Sequence, residues 1–382
     1  MKLIPTSLKL PVFAVVVAGF VSSAQAWIYT GTGPWANYLF ADGWLVHENG
    51  WGSQNDQTQE IQIQNPGQWQ STVNYTGSGT KNFAHMQQNV NIGISSGNFC
   101  NCSFNYYAPN NPWWFAFFDM WTGSSPATDE LMIGQGWNNV NGGGWGTTIA
   151  TGVTIGGRYW PSVSQANNGA NNVIIFNGQT SRSSGSEDLM AYFLWCQSRG
   201  LLHNSTLGGF NFGFEVTYTS GYQTFGMNSL FVNWGANGQV GTGVYKIIAR
   251  HSGKALDAYG NGSANGTQID QWTYGEGNNQ LWSVWNRGNN QYSIIGIQTG
   301  KSLDINGFST SNGTKVQLWD YSGSSNQKFT FSGTSGGYYR ITPQNATGSC
   351  LDVSGASTAD GALVDLWTYN GGNNQQWGIW AP

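Results

Sequence analysis

Three acids stand where carboxylate chemistry is expected: Asp119 and Glu130 in the run Phe115–Gly134 (FAFFDMWTGSSPATDELMIG), and Glu215 in GFNFGFEVTYTSG. The first run reads as two strands joined by a polar turn over residues 123–126, with aromatic and aliphatic flanks. Side-chain alternation puts Phe117, Asp119 and Trp121 on one face of the first strand, and Glu130 and Met132 on one face of the second. A hairpin closed symmetrically about Ser124 and Ser125 sets Asp119 opposite Glu130. Such a pair on an aromatic-lined face is costly unless it is used, although two exposed acids on a polar outer face would give the same pattern. In the second run Phe210, Phe212, Phe214, Val216 and Tyr218 share an apolar face. That leaves Glu215 on the opposite face with Asn211, Gly213 and Thr217. Two glutamates on separate strands of one sheet face are what retaining glycoside hydrolysis needs. One attacks the anomeric carbon, and the other protonates the leaving oxygen and then activates water, at a separation of roughly 5–5.5 Å.

Few other acids compete for the role. Between Trp27 and Trp234, Glu48, Asp56 and Glu60 lie in polar runs and read as solvated. Glu187 and Asp188 read as a helix start, where acids favour the dipole. The elements that carry the three candidates are short strands between Gly, Asn and Ser turns, among them 59–64, 71–75, 87–94, 103–107, 147–155, 172–176 and 210–219. This is the pattern of a β-sandwich or jelly roll. One segment departs from it. Ser184 and Glu187 fit a capping box, Leu189, Tyr192, Phe193 and Cys196 recur at helical spacing, and Gly200 ends the run, so one helix is expected against a sheet.

Composition narrows the ligand. Only 8% of residues are charged and the net charge is −4, so no basic surface exists to hold a nucleic acid. With 15% aromatic residues, 20 tryptophans and 55 glycines, the chain suits a neutral, hydroxyl-rich ligand that stacks on rings and exchanges hydrogen bonds. Residues 1–26 read as a secretory signal peptide: lysines, an apolar stretch too short to span a bilayer, then Ala24-Gln25-Ala26 as the cleavage site. A secreted, extracellular monomer with no membrane partner is expected. Of the four cysteines, Cys100 and Cys102 are too close in a strand to bridge easily; a bond from one of them to Cys196 would fit, and Cys350 has no evident partner. No Cys/His cluster has metal-ligand spacing, His47, His85, His203 and His251 are scattered, and no metal or cofactor is expected.

Beyond a short flexible linker at 235–243 the pattern becomes a repeat. Leu256-Asp257, Leu303-Asp304 and Leu351-Asp352 are each followed at the same offset by Trp272, Trp319 or Trp367, and then by Gln280, Gln327 or Gln375. Three units of this length imply an array in which none buries its apolar face alone.

The repeat over 244–382 resembles the ricin B-type lectin β-trefoil, also known as a family 13 carbohydrate-binding module. Q-x-W stands in its first and third units, and Phe329 replaces the aromatic in the second. The resemblance implies that Asp257, Asp304 and Asp352 accept hydrogen bonds from sugar hydroxyls. It makes Trp272, Trp319 and Trp367, or the neighbouring Tyr274, Tyr321 and Tyr369, the stacking platforms, with Asn279, Asn326 and Asn374 adding polar contacts. The glutamines and the terminal aromatics read as trefoil core.

Residues 27–234 resemble glycoside hydrolase family 12. Glu130-Leu-Met-Ile133 is similar to the family's nucleophile strand, and Gly213-Phe-Glu215 to its acid/base strand. Asn49-Gly-Trp51-Gly52 resembles its Asn-x-Trp-Gly, Phe118-Asp119-Met120 the strand whose aspartate contacts the nucleophile, and Val153–Gly157 with Trp160 a middle strand pair. This resemblance implies Glu130 as nucleophile, Glu215 as acid/base, Asp119 as the tuning partner, and Asn49, Trp51, Met132 and Trp137 at substrate. Gly134 stands where the family has an aromatic, and Val216-Thr217 where it often has Pro and an aromatic. The expected whole is an all-β chain, a jelly-roll sandwich with one packed helix followed by a β-trefoil. Its expected activity is endo-hydrolysis of cellulose, mixed-linkage β-glucan or xyloglucan. A family 11-like xylanase and a non-catalytic two-domain lectin are the alternatives.

Overall fold

The computed structural model describes residues 27, 29–33, 36–40, 44–48, 58–65, 67–75, 82–110, 112–123, 128–138, 145–169, 171–178, 180–236 and 239–382. The expected leader, Asn49, Trp51, Asp56 and the turn about Ser124 and Ser125 lie outside them. In chain order the first half comprises β1 (Tyr29–Thr32), β2 (Asn37–Leu39), β3 (Leu45–His47), β4 (Thr58–Asn65), β5 (Gln68–Asn74), β6 (Asn82–Gly93), β7 (Asn98–Tyr107), β8 (Trp113–Thr122), β9 (Asp129–Asn138), β10 (Thr147–Ile155), β11 (Arg158–Asn167), β12 (Asn172–Asn177) and β13 (Ser184–Asp188). Then follow α1 (Leu189–Gln197), β14 (Thr206–Tyr218) and β15 (Gln223–Ala236). They form a six-stranded sheet, β1-β4-β5-β15-β7-β13, and a nine-stranded sheet, β10-β11-β12-β9-β8-β14-β6-β3-β2. The two sheets face each other as a jelly-roll sandwich.

Alternation decides what lies between the sheets. Phe210, Phe212 and Phe214 of β14 are fully buried; Phe210 and Phe212 meet Phe118 of β8, Phe212 meets Phe104 of β7, and Phe214 meets Tyr106 of β7 through ring contacts. Each such ring contributes about 1.5–3 kcal/mol by leaving water. The intervening residues of the same strands face the other way, into the concave side of the larger sheet.

The helix start differs from the capping-box reading. Ser184–Asp188 is strand, paired with β7, and Asp188 caps the helix by accepting from Ala191 N at 3.2 Å. Glu187 is buried, bonded to Arg158 Nη1 at 2.7 Å, to Arg182 and to the Tyr192 hydroxyl at 2.7 Å. A buried carboxylate needs such partners, and that tertiary demand outweighs the local cap. Glu48 is likewise buried and hydrogen-bonded by Ser71, not solvated. All four cysteines are free and buried, so the bond to Cys196 is not formed.

The second half holds twelve strands, from Gly243–Ala249 to Trp377–Trp380. Leu256, Leu303, Leu351, Trp282, Phe329 and Trp377 are fully buried in its core. The units are closed in a ring by equivalent side chains that each reach into the next unit. Asn265 Oδ1 accepts from Asp320 N at 3.0 Å, Asn312 Oδ1 from Thr368 N at 2.7 Å, and Asp360 Oδ1 from Thr273 N at 2.7 Å. On the pseudo-threefold axis one side chain breaks the symmetry: Gln268 Nε2 reaches Ile269 O, Val316 O and Val364 O at 3.1–3.2 Å. The stretch expected as a free linker is tied back. Trp234 and Thr242 exchange backbone hydrogen bonds at 2.8 Å, and the Val240 side chain is buried in the trefoil core.

Replacing Gln268 by Leu strips three inward carbonyls of their shared donor. Urea unfolding of Gln268→Leu should show a loss of about 1–3 kcal/mol. A change below about 0.5 kcal/mol would mean that water satisfies the axis instead.

Candidate active site

The concave face is a grid set by strand register. One row reads Asn89, Gly209, Trp121, Glu130, and the next Gln87, Asn211, Asp119, Met132. A third row reads His47, His85, Gly213, Phe117, and a fourth Phe83, Glu215, Phe115. Together they floor a cleft of about 850 Å³ lined by Asp119, Glu130, Met132 and Glu215 among others. Gly213 is required by close packing: a Cβ there would stand 2.3 Å from Ala84 O and 2.4 Å from His85 Cβ.

Asp119 and Glu130 share this face, but not as directly opposed residues. Asp119 pairs with Met132, and Glu130 with Trp121. The β8–β9 connection runs from Gly123 to Thr128, so its centre lies one residue beyond the symmetric turn. A clasp fixes that register: Thr122 Oγ1 donates to Asp129 Oδ2 at 2.6 Å and accepts from Asp129 N at 3.1 Å. Asp129 also accepts from Asn172 Nδ2 at 3.0 Å and from His203 N at 2.9 Å. Burial alone would raise this carboxyl, but these bonds with Thr122, Asn172 and His203 prevail and hold it below its usual value. The residue before Glu130 is therefore an anchor.

The cleft acids behave differently. Asp119 is 6% exposed; its Oδ2 accepts from Trp121 Nε1 at 3.1 Å and Asn211 Nδ2 at 3.3 Å. The Glu130 carboxyl lies close enough to interact with it. Glu130 accepts from Asn168 Nδ2 at 3.5 Å. Burial pushes Asp119 up to about 7 and Glu130 up to about 9, with the facing Asp119 charge and then Glu215 adding to the rise at Glu130. A buried carboxyl beside a half-buried one holds one proton between them near neutrality. Glu215 is half-buried and lies within electrostatic reach of both. The arrangement offers a proton-sharing pair on one side and a separate carboxyl on the other.

Not every sequence-derived candidate joins this group. Met132 lines the cleft, whereas Trp137 is a β9 residue paired with Phe115, packed on the apolar end of the concave face and not on the cleft wall. The sequence reading passed over the β6 series Phe83, His85, Gln87, Asn89, although its alternation is a legible signal of one lining face. It also passed over His47, which meets His85 across strands despite their distance in sequence.

In the trefoil the three platforms are open, with Trp272, Trp319 and Trp367 42–48% exposed. Asp257, Asp304 and Asp352 are each 4% exposed, and they accept from Asn279 Nδ2, Asn326 Nδ2 and Asn374 Nδ2 at 2.7–2.8 Å. The asparagines thus orient the aspartates. Gln280, Gln327 and Gln375 are buried and brace the platform loops, donating to Thr273 O, Asp320 O and Thr368 O. The units are chemically unequal: Asp257 and Asp352 face Asp270 and Asp365, whereas Asp304 faces Gln317, whose Nε2 donates to it at 3.1 Å.

The comparisons with known proteins match both halves. The family described as ricin-type β-trefoil lectin domain-like matches residues 231–319 and 325–381. A designed 3-fold symmetric protein, ThreeFoil, is 40% identical over 36% of this chain and 99% of its own, with a TM-score of 0.36. The xyloglucanase domain of NopAA, a type three effector from Sinorhizobium fredii solved with cellobiose, is 21% identical, covers 55% of this chain and 99% of its own, and superposes with a TM-score of 0.50. A family 12 xyloglucanase from Bacillus licheniformis is 20% identical over 54% of this chain and 100% of its own, with a TM-score of 0.48. No curated protein sequence matches the chain. The C-terminal part, residues 231–319 and 325–381, is a ricin-type β-trefoil lectin domain, and the jelly roll that precedes it has family 12 xyloglucanases and cellulases as structural neighbours.

Proposed function

We propose that the sandwich is a retaining endo-hydrolase of β-1,4-glucan-type polysaccharides and that the trefoil holds it on its substrate, in a secreted, monomeric protein. One observation carries this reading. Three carboxyls, Asp119, Glu130 and Glu215, converge on a single cleft otherwise lined by aromatic, amide, histidine and methionine side chains and glycines. A site that only bound neutral sugars would gain nothing from an acid buried against an acid. The likeness to a xyloglucanase domain solved with cellobiose supports a β-glucan as the ligand.

In this reading Glu130 attacks the anomeric carbon, and Glu215 donates a proton to the leaving oxygen and then takes one from water. For attack the shared proton must pass to Asp119, leaving Glu130 the anion, with Trp121 and Asn211 fixing the Asp119 carboxyl plane. As the glycosyl–Glu130 ester forms, the negative charge leaves the pair, so the cost of holding a desolvated anion is relieved in the step being catalysed. Met132 and Trp121 flank the pair in the grid and would meet the sugar ring beside it. The exposed tryptophans with their oriented aspartates provide up to three pyranose clamps on the trefoil.

Reducing ends released from barley β-glucan, xyloglucan, carboxymethylcellulose and xylan test this directly. Wild type should cut at least one of the three glucans. Glu130→Gln should abolish turnover, and Glu215→Gln should lower it about 10²- to 10⁴-fold, the range for loss of a general acid. Turnover that survives Glu130→Gln removes it as nucleophile. Release mainly from xylan points to a xylanase, and no release from any substrate leaves a two-domain lectin.

The shared proton has a stability consequence. The folded carboxyls are raised above their unfolded values near 4. The folded state therefore binds more protons, and the contribution is full below pH 4 and lost as pH rises through about 7 to 9. The melting temperature should fall between pH 7 and pH 9.5, and more gently in Asp119→Asn. Parallel declines in the two proteins would show that the pair does not share a proton.

A further inference from the structure

Two imidazoles meet in the cleft in the row of Gly213. His47 and His85 are cross-strand partners on β3 and β6, and their Nε2 atoms lie 2.7 Å apart. The inner ring has a fixed tautomer. His85 Nδ1 is 2.6 Å from Phe83 O, which can only accept, so Nδ1 carries the hydrogen and Nε2 keeps its lone pair. Its ring is stacked on Phe83 at 4.3 Å and is 3% exposed, so it cannot turn away. The His47 ring is also hydrogen-bonded to the Glu48 backbone, and the Gln87 side chain reaches both rings.

We propose that His47 Nε2 and His85 Nε2 form a bidentate site for a divalent transition-metal ion, Cu(II) in preference to Zn(II), opening into the cleft. Two imidazole nitrogens held side by side, one of them on a ring locked through its outer nitrogen by Phe83 O, are the donor set that borderline cations take. Bite angle selects among them. At a metal–nitrogen distance of about 2.0 Å, the observed Nε2 separation subtends about 85°. That is near the right angle of tetragonal Cu(II) and far from the tetrahedral angle of Zn(II). Among the described residues no group of three His, Cys, Asp or Glu converges as a metal set. Water from the cleft fills the remaining positions.

Protons balance without an outside base. In the empty pair His47 Nε2–H donates to His85 Nε2. On binding, that hydrogen moves to His47 Nδ1, the two Nε2 lone pairs bond the metal, and no net proton is released. His203, on Asp129, and His251, on Ser357 O, lack a second imidazole and serve as controls.

The test is calorimetric titration of the full, chelator-stripped chain with CuCl2 at pH 7 in a non-coordinating buffer, with electron paramagnetic resonance of the 1:1 complex. The expected result is one Cu(II) per chain with two equatorial nitrogens, and weaker ZnCl2 binding. His47→Gln, on the more exposed ring, should lower Cu(II) affinity at least about tenfold at an unchanged melting temperature, while His203→Gln and His251→Gln should retain it. Unaltered Cu(II) binding in His47→Gln, or tighter Zn(II) than Cu(II), overturns the site. Binding is read without turnover, so a failure of the hydrolase reading leaves this result interpretable.

Discussion

The Asp119–Glu130 pair is held together against its own repulsion, and much of the sandwich is arranged to do so. Burial raises both carboxyls, so the contact survives only because one proton serves two groups and because Trp121 and Asn211 donate to the Asp119 oxygen that faces away. That geometry needs β8, β9 and β14 in one register. The Thr122–Asp129 clasp sets the first pairing, and the Phe210–Phe214 series, locked in the core, sets the second. A one-residue slip in either would turn the acids into an aromatic core.

Charge placement elsewhere in the sandwich follows the same economy. With few ionisable groups, those that are buried are fully engaged: Glu187 takes two arginines and a tyrosine, and Asp129 takes a threonine, an asparagine and a histidine. Gln135, buried where β9 gains an extra residue against β8, accepts from Arg158 and Arg182 and completes the first network. The cleft acids are the exception, with more carboxylate than cation near them. That imbalance is what the proposed hydrolase chemistry would draw on.

The trefoil solves a different problem. Each unit has a core-facing leucine and aromatic but too little area to bury them alone, so closure of the ring carries the stability. The three inter-unit bonds from Asn265, Asn312 and Asp360 do this symmetrically, and Gln268 then breaks symmetry at the one point where three carbonyls would crowd. Symmetry is also lost where it bears on ligands. Asp270 and Asp365 are pushed up to about 7 and about 6 by burial and by the aspartates they face, whereas Gln317 donates to Asp304 and leaves its pocket without a second acid.

Local pattern was enough for much of this. Alternation in FNFGFEV, FAFFDMW and DELMI set Glu215, Asp119 and Glu130 apart from their apolar neighbours, and two offsets preserved in three units marked the trefoil and its Gln–aromatic core, because periodicity is a property of neighbours in the chain. Contacts between distant residues were not legible. The register that sets Asp119 against Met132, the partners that turned Ser184–Asp188 into a strand, the burial of Glu48 and the meeting of His47 with His85 all depend on which strands lie side by side. Sequence determined which face each residue takes. Only the packed sheet decided what it meets there, since burial and electrostatic strength are set by neighbours that the chain brings together from far apart.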